Sequence, residues 1–327
     1  MLRLIVAMLL YCPGEPIIAV QGCRALLMLS KSAKNLSHAA AEGAIQAVAT
    51  CISIHKEDPS VLSFCFTALK RFSCDVAHHE MLKKAKASQL VFEYVIQGNP
   101  DTQKNAIEAL ADIPFDASFV PSEVLFNLVE VLDRCKLSSE EAAYCLHLLW
   151  RIVQDVQHLL NVTRTPICCI ISFLLKTHKN DNFLFVKAFG LLGELCAYKE
   201  THANVRYSKC VEMVTSVLTE QSHNAAVAIE GLAVLHNFAC NKMQVSMLTS
   251  YGSIDMVLSE MALFPDNEEL QEMAFSALSL IIPGASEKKR FVVCGGRYML
   301  LKILRAPRNN ELFKQKVREL LYRLPFW

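Results

Sequence analysis

The segment Cys23-Arg24-Ala25-Leu26-Leu27-Met28-Leu29-Ser30 introduces a pattern that returns along the whole chain of 327 residues. Leu26 and Leu29 are three positions apart, which places both side chains on one face of a helix. With Leu26 as the anchor, leucine recurs at Leu69, Leu110, Leu149, Leu192, Leu235, Leu278 and Leu321. The successive intervals are 43, 41, 39, 43, 43, 43 and 43 residues. This regular spacing indicates an internal repeat.

The residue three positions after each anchor is apolar in every period. These partners are Leu29, Phe72, Ile113, Ile152, Leu195, Phe238, Ile281 and Leu324. Because a repeat of this size cannot bury its apolar face alone, we expect each pair to pack against the neighbouring repeat. The chain is thus predicted to stack its repeats around a continuous core.

Glycine and proline keep the same phase as the leucine anchors. Glycine stands 17 residues after an anchor at Gly43, Gly252 and Gly295, where its conformational freedom suits a break between helices. Proline stands ten residues before an anchor at Pro16, Pro59 and Pro100, where it suits the first turn of a helix. Each period therefore predicts a short first helix, a break, a second helix, a turn, and a long third helix that carries the anchor.

Local helix signals agree with this assignment. Ser138 and Glu141 have the spacing of a capping box, and Asn267 precedes two glutamates at the start of the predicted third helix. The strict alternation of apolar and polar residues that is typical of strands is missing. The sequence predicts an all-α solenoid.

Composition narrows the class of protein. The chain is 53% hydrophobic with a mean hydropathy of +0.28, yet its run Leu4–Cys12 has only nine apolar residues, whereas a membrane-spanning helix needs about 20. Lys and Arg (33) nearly balance Asp and Glu (32), so a nucleic-acid partner is not expected. The 13 cysteines form no C-x-x-C pair and are expected to be buried free thiols. This predicts a cytoplasmic location, with the nucleus as the alternative.

The joint Glu42-Gly43-Ala44-Ile45 and the third-helix segment Val234-Leu235-His236-Asn237-Phe238-Ala239 resemble the armadillo repeat family. The resemblance implies a right-handed superhelical solenoid whose third helices line a concave groove, and a protein-binding scaffold as the function. HEAT repeats, with two helices per unit, are the alternative for the degenerate middle repeats.

The repeat phase predicts one domain over residues 1–327. It contains a partial repeat at 1–33 and seven full repeats at approximately 34–75, 76–116, 117–156, 157–199, 200–242, 243–285 and 286–327. The partial repeat lacks its first helix, and its apolar segment comprises Leu2, Ile5, Val6, Met8, Leu9 and Leu10. Two hypotheses follow. The chain is a truncated form of a larger protein, such as one with a kinase-like or GTPase domain, or its apolar N-terminal end docks onto a missing domain or another chain.

Sequence motifs of catalysis are missing. The chain contains no P-loop, no dinucleotide fingerprint, no nucleophile elbow and no H-E-x-x-H zinc motif. His78-His79-Glu80 lacks further ligands at helical spacing and is expected to be a solvated helix or joint. We expect no enzyme activity, no cofactor and no metal.

The predicted groove is defined by the positions two before and two after each anchor. Its candidate residues are Arg24, Arg71, Glu108, Asp112, His147, Arg151, Glu194, Asn237, Glu319 and Arg323. Nuclear-import adaptors of the armadillo family carry a ladder of Trp and Asn at these positions. Here the ladder is reduced to one Asn, which disfavours a nuclear-transport role.

The charges of the candidate groove are mixed. Arg24 and Arg71 make its first part basic, while Glu108 and Asp112 make the third repeat acidic. The sequence therefore predicts a protein or peptide partner of mixed charge. The alternative is that these side chains only solvate an exposed face, and reversal of Arg71 and Arg151 to Glu should weaken binding if the groove is used.

Overall fold

The computed structural model describes residues 1–134, 138–220, 223–305 and 311–324. Over these ranges the chain forms 22 α-helices joined by turns and short 3-10 segments, with no strand, and the all-α prediction is confirmed. The chain divides into two compact units, Met1–Val162 and Thr163–Trp327, called unit 1 and unit 2 below. The single domain, its repeat boundaries and the repeat count stay predictions.

Unit 1 is built from eleven helices. They are α1 (Leu2–Tyr11), α2 (Pro16–Leu29), α3 (Ala33–Ala41), α4 (Ala44–Ile54), α5 (Pro59–Ser73), α6 (His79–Lys84), α7 (Ala87–Gln97), α8 (Pro100–Leu110), α9 (Ser122–Asp133), α10 (Ser139–Ile152) and α11 (Val156–Val162). The anchor leucines place α2, α5, α8 and α10 as third helices. These helices pack side by side in chain order.

Unit 2 is built from the remaining eleven. They are α12 (Ile167–Thr177), α13 (Asn182–Ala197), α14 (His202–Tyr207), α15 (Cys210–Glu220), α16 (Ala225–Ala239), α17 (Val245–Ser250), α18 (Ser253–Leu263), α19 (Glu268–Ile281), α20 (Ala285–Val293), α21 (Gly296–Arg305) and α22 (Glu311–Tyr322). Here α13, α16, α19 and α22 are the third helices. They too pack in succession.

The helix starts follow the sequence signals. Pro16, Pro59 and Pro100 stand at the first positions of α2, α5 and α8. The Ser138 hydroxyl accepts a hydrogen bond from the backbone N–H of Glu141 at 3.3 Å, as the capping box predicts. Asn267 caps α19 in the same way, through the N–H of Leu270 at 3.0 Å.

The predicted glycine joints are also present. Gly43, Gly252 and Gly295 have φ angles of +90°, +75° and +87°, in the left-handed region that glycine adopts without steric cost. Gly43 and Gly252 come directly before second helices, α4 and α18. The sharp turn between first and second helix therefore depends on backbone geometry at a single residue.

The anchors form the core as expected. From Leu26 to Leu278 every anchor leucine is buried, and Leu321 in α22 is half-buried. Their partners three residues on are buried as well, except the half-buried Leu29. Burial of a leucine side chain contributes roughly 2 kcal/mol, so the repeated pair stabilises the core at every repeat.

The segment around residues 110–121 departs from the prediction. α8 ends at Leu110 and leaves Ile113 outside the helix, because Pro114 disfavours helical angles at the residue before it. The expected first helix of the next repeat is only a 3-10 turn, Ala117–Phe119, followed by Pro121. This is also where the anchor interval shortens to 39 residues, which corresponds to the loss of about one helical turn.

The apolar residues of α1 divide between two faces. Leu2, Val6 and Leu9 are buried inside unit 1, whereas Met8 and Leu10 are 46% and 43% exposed. Half of the segment that was expected to be available for docking therefore belongs to the core.

Among the described residues no single helix is long and apolar enough to cross a membrane, and only the successive pair α11 and α12 reaches that length together.

Candidate functional site

Two arginines of the predicted groove bind the backbone of the preceding repeat. Arg71 in α5 donates from Nε and Nη2 to the carbonyl oxygen of Ser30, at 3.2 and 2.7 Å. Arg151 in α10 donates to the carbonyls of Leu110, Ala111 and Ile113, at 2.6, 2.8 and 2.9 Å. The last carbonyls of a helix have no partner within that helix. These arginines therefore cap α2 and α8 and tie neighbouring third helices together.

Asn237 plays the same part in unit 2. Its side-chain amide donates to the carbonyl oxygen of Gly193 in α13 at 2.9 Å, and its Oδ1 lies 3.1 Å from His236 Nδ1. The amide thus contributes to packing between α13 and α16. The sequence pattern did not reveal that Arg71, Arg151 and Asn237 each bind a backbone carbonyl of the previous third helix or of the turn after it.

Arg151 is further held by an aromatic ring. Its guanidinium lies 4.1 Å from the centre of the Phe115 ring, a distance at which the ring face attracts a cation. Burial lowers the pKa of Arg151, while the charge of Asp112 acts in the opposite direction. Arginine starts from so high a pKa that the group stays protonated, so a permanent charge is fixed at this point of unit 1.

Lys70 neutralises part of the predicted acidic segment. Its Nζ donates to Glu108 Oε1 at 2.8 Å, lies 3.8 Å from Asp112 Oδ2, and stands 5.0 Å from the centre of the Tyr144 ring. Burial lowers the pKa of Lys70, but the hydrogen bond and charge of Glu108 outweigh it, so the pKa is raised overall. Lys70, on α5, was missed because it lies one position after its anchor.

A cleft of about 580 Å³ opens between α8 and α10 next to this ion pair. It is lined by Pro100, Asp101, Gln103, Lys104, Ile107, Glu108, Val131, Arg134, Glu140, Glu141, Tyr144 and Cys145. Lys104 forms an ion pair with Glu141, and Arg134 with Glu130. Asp101 and Glu140 are exposed and form no ion pair with any described residue. The cleft therefore has two carboxylates that form no ion pair within the described residues.

A second cleft, of about 810 Å³, lies at the short 3-10 turn. His147 stacks on Trp150 there, with ring centres 5.4 Å apart, and both side chains are half-buried. Phe115, Asp116 and Gln154 complete its walls. The space exists because the first helix is reduced to a single turn, which sequence reasoning did not foresee.

The remaining predicted positions are more open. Arg24, Glu319 and Arg323 are exposed, and Glu194 is half-buried. Glu319 accepts a weak hydrogen bond from Gln315 at 3.4 Å. The structure thus places Arg71, Glu108, His147 and Arg151 on the third helices of unit 1, and it leaves Arg24 in the same unit as an exposed charge. Asp112, which was expected on the third helix, lies in the turn after α8 because that helix ends at Leu110.

The histidine pair has a structural role. His78 is buried and its Nδ1 lies 3.2 Å from the carbonyl oxygen of Phe72, while His79 Nε2 lies 2.9 Å from that of Ser73. Both rings therefore satisfy carbonyls at the end of α5. The expectation of a solvated segment was wrong for His78, since a helix end beneath it required a partner.

The cysteines within the described residues are free, and most of them are buried. Burial raises the pKa of Cys51 to about 11 and that of Cys145 to about 12, which keeps both thiols protonated. Cys12, Cys74, Cys169 and Cys240 are exposed instead. In the part of the chain that the structure describes, no group of three or more His, Cys, Asp or Glu side chains could hold a metal ion.

Comparison with solved structures identifies the fold. An engineered protein superposes with a TM-score of 0.78 at 17% sequence identity, over 99% of this chain and 79% of that protein. A computationally designed armadillo repeat protein for modular peptide recognition superposes with a TM-score of 0.60 at 17% identity, over 73% of this chain and 99% of that protein. No protein-family model and no curated protein sequence matches the chain. The chain folds as an armadillo-type helical-repeat solenoid.

Proposed function

We propose that this chain is a non-catalytic scaffold that binds an extended protein segment along the third helices of unit 1. The observation that carries the proposal is the cleft between α8 and α10, where Asp101 and Glu140 form no ion pair with a described residue. Similarity to a designed protein for peptide recognition supports a peptide as the partner. We further propose that the scaffold works in the cytosol or nucleus, where its free thiols stay reduced.

The residues of this face divide into two groups. Arg71 and Arg151 hold successive third helices together through backbone carbonyls, so they set the shape of the surface. Asp101, Glu140 and the half-buried Tyr144 line the cleft itself. Binding is therefore assigned to the second group, and reversal of the two arginines would disturb the fold as well as any partner.

The chemistry of the cleft indicates what the partner segment must offer. Lys70 Nζ already lies 5.0 Å from the centre of the Tyr144 ring, a distance at which the ring face attracts a cation. A Lys or Arg side chain of the partner would complement Asp101 and Glu140 and would extend this cation–ring contact. The partner is thus of mixed charge, with at least one basic residue between apolar neighbours.

Selection from a phage-displayed library of random peptides tests this function. We expect selected peptides to carry Lys or Arg beside apolar residues, and to bind about tenfold more weakly to the double variant Asp101→Asn, Glu140→Gln, since each exposed charge pair is worth about 0.2–1 kcal/mol. The matched control neutralises two exposed acids of unit 1 that do not line the cleft and form no described ion pair, Glu15→Gln and Glu123→Gln. Equal affinity for both double variants would contradict the assignment of the cleft.

A further inference from the structure

The last predicted repeat differs sharply in charge from the rest of the chain. Eleven of the 42 residues from 286 to 327 are Lys or Arg and only three are Glu, an excess of eight positive charges in a chain whose net charge is +1. The preceding 43 residues, 243–285, contain six Asp or Glu and no Lys or Arg. A strongly basic surface therefore directly follows an acidic one in unit 2.

The two segments are in contact, yet most of the basic charge is left over. Arg290 Nη2 forms an ion pair with Asp255 Oδ2 at 2.7 Å, and Glu311 lies 3.9 Å from Lys314 and 3.5 Å from Arg318. Within the described residues, Lys288, Lys289, Lys302, Lys316 and Arg323 have no ion pair. These five positive charges are thus not neutralised by ion pairs within the described residues.

Part of this charge surrounds a cleft between α21 and α22. The cleft has a volume of about 360 Å³ and is lined by Arg297, Leu301, Arg318, Leu321 and Tyr322. Leu301 and Tyr322 are 39% and 85% exposed. The exposed Lys302 follows Leu301 directly, and Tyr298, 70% exposed, lies one helical turn before it. Cations and apolar side chains alternate on this surface.

The acidic neighbour limits which anionic partner can approach. α21 packs against α18, and α22 against α19, so the repeat that holds the exposed acids Asp266, Glu268 and Glu269 is the direct neighbour of the basic one. A nucleic-acid duplex or an anionic membrane is large enough to extend over both repeats, and it would bring its own negative charges against the acidic one. A short acidic segment can occupy the basic surface alone.

We infer that the cleft between α21 and α22 binds a short protein segment in which Asp or Glu alternates with Leu or Phe. Its carboxylates pair with Arg318 and Lys302, and its apolar side chains pack on Leu301, Leu321 and Tyr322. This site lies in unit 2 and is independent of the groove proposed for unit 1. The chain therefore has two recognition surfaces of opposite charge preference.

Fluorescence anisotropy with a labelled peptide of sequence DELEDFEDLEEL tests the inference on the whole chain. We expect binding that weakens as salt is raised, and at least about tenfold weaker binding by the triple variant Lys302→Gln, Arg318→Gln, Tyr322→Ala. The control variant Lys176→Gln, Lys199→Gln removes exposed charge elsewhere in unit 2 and should bind normally. The amide version of the peptide, NQLQNFQNLQQL, should bind at least about tenfold more weakly than the acidic one.

Because the three substituted side chains are exposed, the triple variant should keep the unfolding temperature of the parent chain. The single variant Lys302→Glu provides a second test at a position that makes no described ion pair, and it should weaken binding by about fivefold. Undiminished binding by either variant overturns the site. Tighter binding of an oligouridylate or of phosphatidylserine vesicles than of the acidic peptide overturns the assigned partner class.

Discussion

Two lysines adopt the backbone conformation that glycine adopts elsewhere in this chain. Lys86 and Lys209 have φ angles of +53° and +57°, and each stands 17 residues after an anchor, in register with Gly43. Left-handed angles cost a residue with a Cβ roughly 1–2 kcal/mol. The left-handed backbone conformation is therefore determined by the position in the repeat more than by the residue type. Because lysine replaces glycine at these two positions, the glycine pattern in the sequence does not reveal them.

The strain at Lys86 leads to a stability prediction. Lys86→Gly should raise the free energy of unfolding by about 1 kcal/mol, because glycine relieves the left-handed strain at an exposed site. The mirror variant Gly43→Ala should lower it by a similar amount, since a Cβ there meets no neighbour within 4 Å and the effect is that of the backbone alone. Urea unfolding measures both, and a destabilised Lys86→Gly would contradict the account.

Glu260 is a buried acid at a position where neighbouring repeats have apolar residues. It is 1% exposed, and its Oε2 has no hydrogen-bond partner among the described residues. The corresponding residues 43 positions before and after are Val217 and Ile303. Burial raises the pKa of Glu260 to about 7. The folded chain therefore holds a proton that the unfolded chain releases near pH 4.5.

This difference in pKa fixes the sign of a pH dependence. Between about pH 4.5 and 7 the unfolded state has lost the proton and the folded state keeps it, so stability falls as pH rises, by roughly 3 kcal/mol in total. Glu260→Gln should remove this slope. Unfolding by urea at pH 5 and pH 8 checks it, with the exposed Glu268→Gln as the control that keeps the slope.

At the scale of helices, the third helices share a capping residue. Asp58, Asn99, Ser138, Asp181, Asn224 and Asn267 each accept a backbone N–H at the start of a third helix. All six stand eleven residues before an anchor. These N-cap positions are visible in the sequence, but they are occupied by Asp, Asn or Ser in turn. A pattern based on one residue type therefore does not reveal that all six side chains accept a hydrogen bond at a helix start.

Loss of one cap should have a measurable cost. Asn224 accepts the N–H groups of Ala226 and Val227 at 3.0 and 3.2 Å, so Asn224→Ala should lower the free energy of unfolding by about 1 kcal/mol. Asn127, inside α9, has no capping role, and Asn127→Ala should be neutral or slightly stabilising. Equal effects of the two variants in urea unfolding would show that the cap is not the cause.

The arginine bridge between third helices gives a larger effect. Arg151→Gln removes the charge that three carbonyls at the end of α8 share and should destabilise the chain by about 2 kcal/mol. Arg24 forms no described hydrogen bond or ion pair and is exposed, so Arg24→Gln should change stability by less than about 0.5 kcal/mol. Thermal unfolding of the two variants distinguishes a structural arginine from a solvated one.

Across the whole molecule, the sequence predicts the repeats better than it predicts the surface. The leucine period alone identified third helices from α2 to α22, because a buried side chain must recur wherever a repeat meets its neighbour. The period failed only near Pro114 and Pro121, where local backbone restriction shortens a repeat. Surface roles depend on which carbonyl or charge lies opposite a side chain, and that information is spread over residues about 40 positions apart.

Net charge shows the same limit. The balance of 33 basic and 32 acidic residues argued against any strong field, whereas residues 243–285 and 286–327 are oppositely charged surfaces of one unit. Summed over the whole chain, the positive and negative charges cancel, whereas a count of charged residues in each repeat reveals the two charged segments. The expectation of a partner of mixed charge is therefore extended to two proposed sites, one acidic between α8 and α10 and one basic between α21 and α22.

Photo-crosslinking from the third-helix face tests the central claim most directly. A benzoylphenylalanine in place of Tyr144, which lines the cleft between α8 and α10, should crosslink to a library-selected peptide, and excess unlabelled peptide should abolish the product. The same group in place of Phe126 on α9, which is 46% exposed, should give no product. Crosslinking at Phe126 but not at Tyr144 would contradict binding along the third helices.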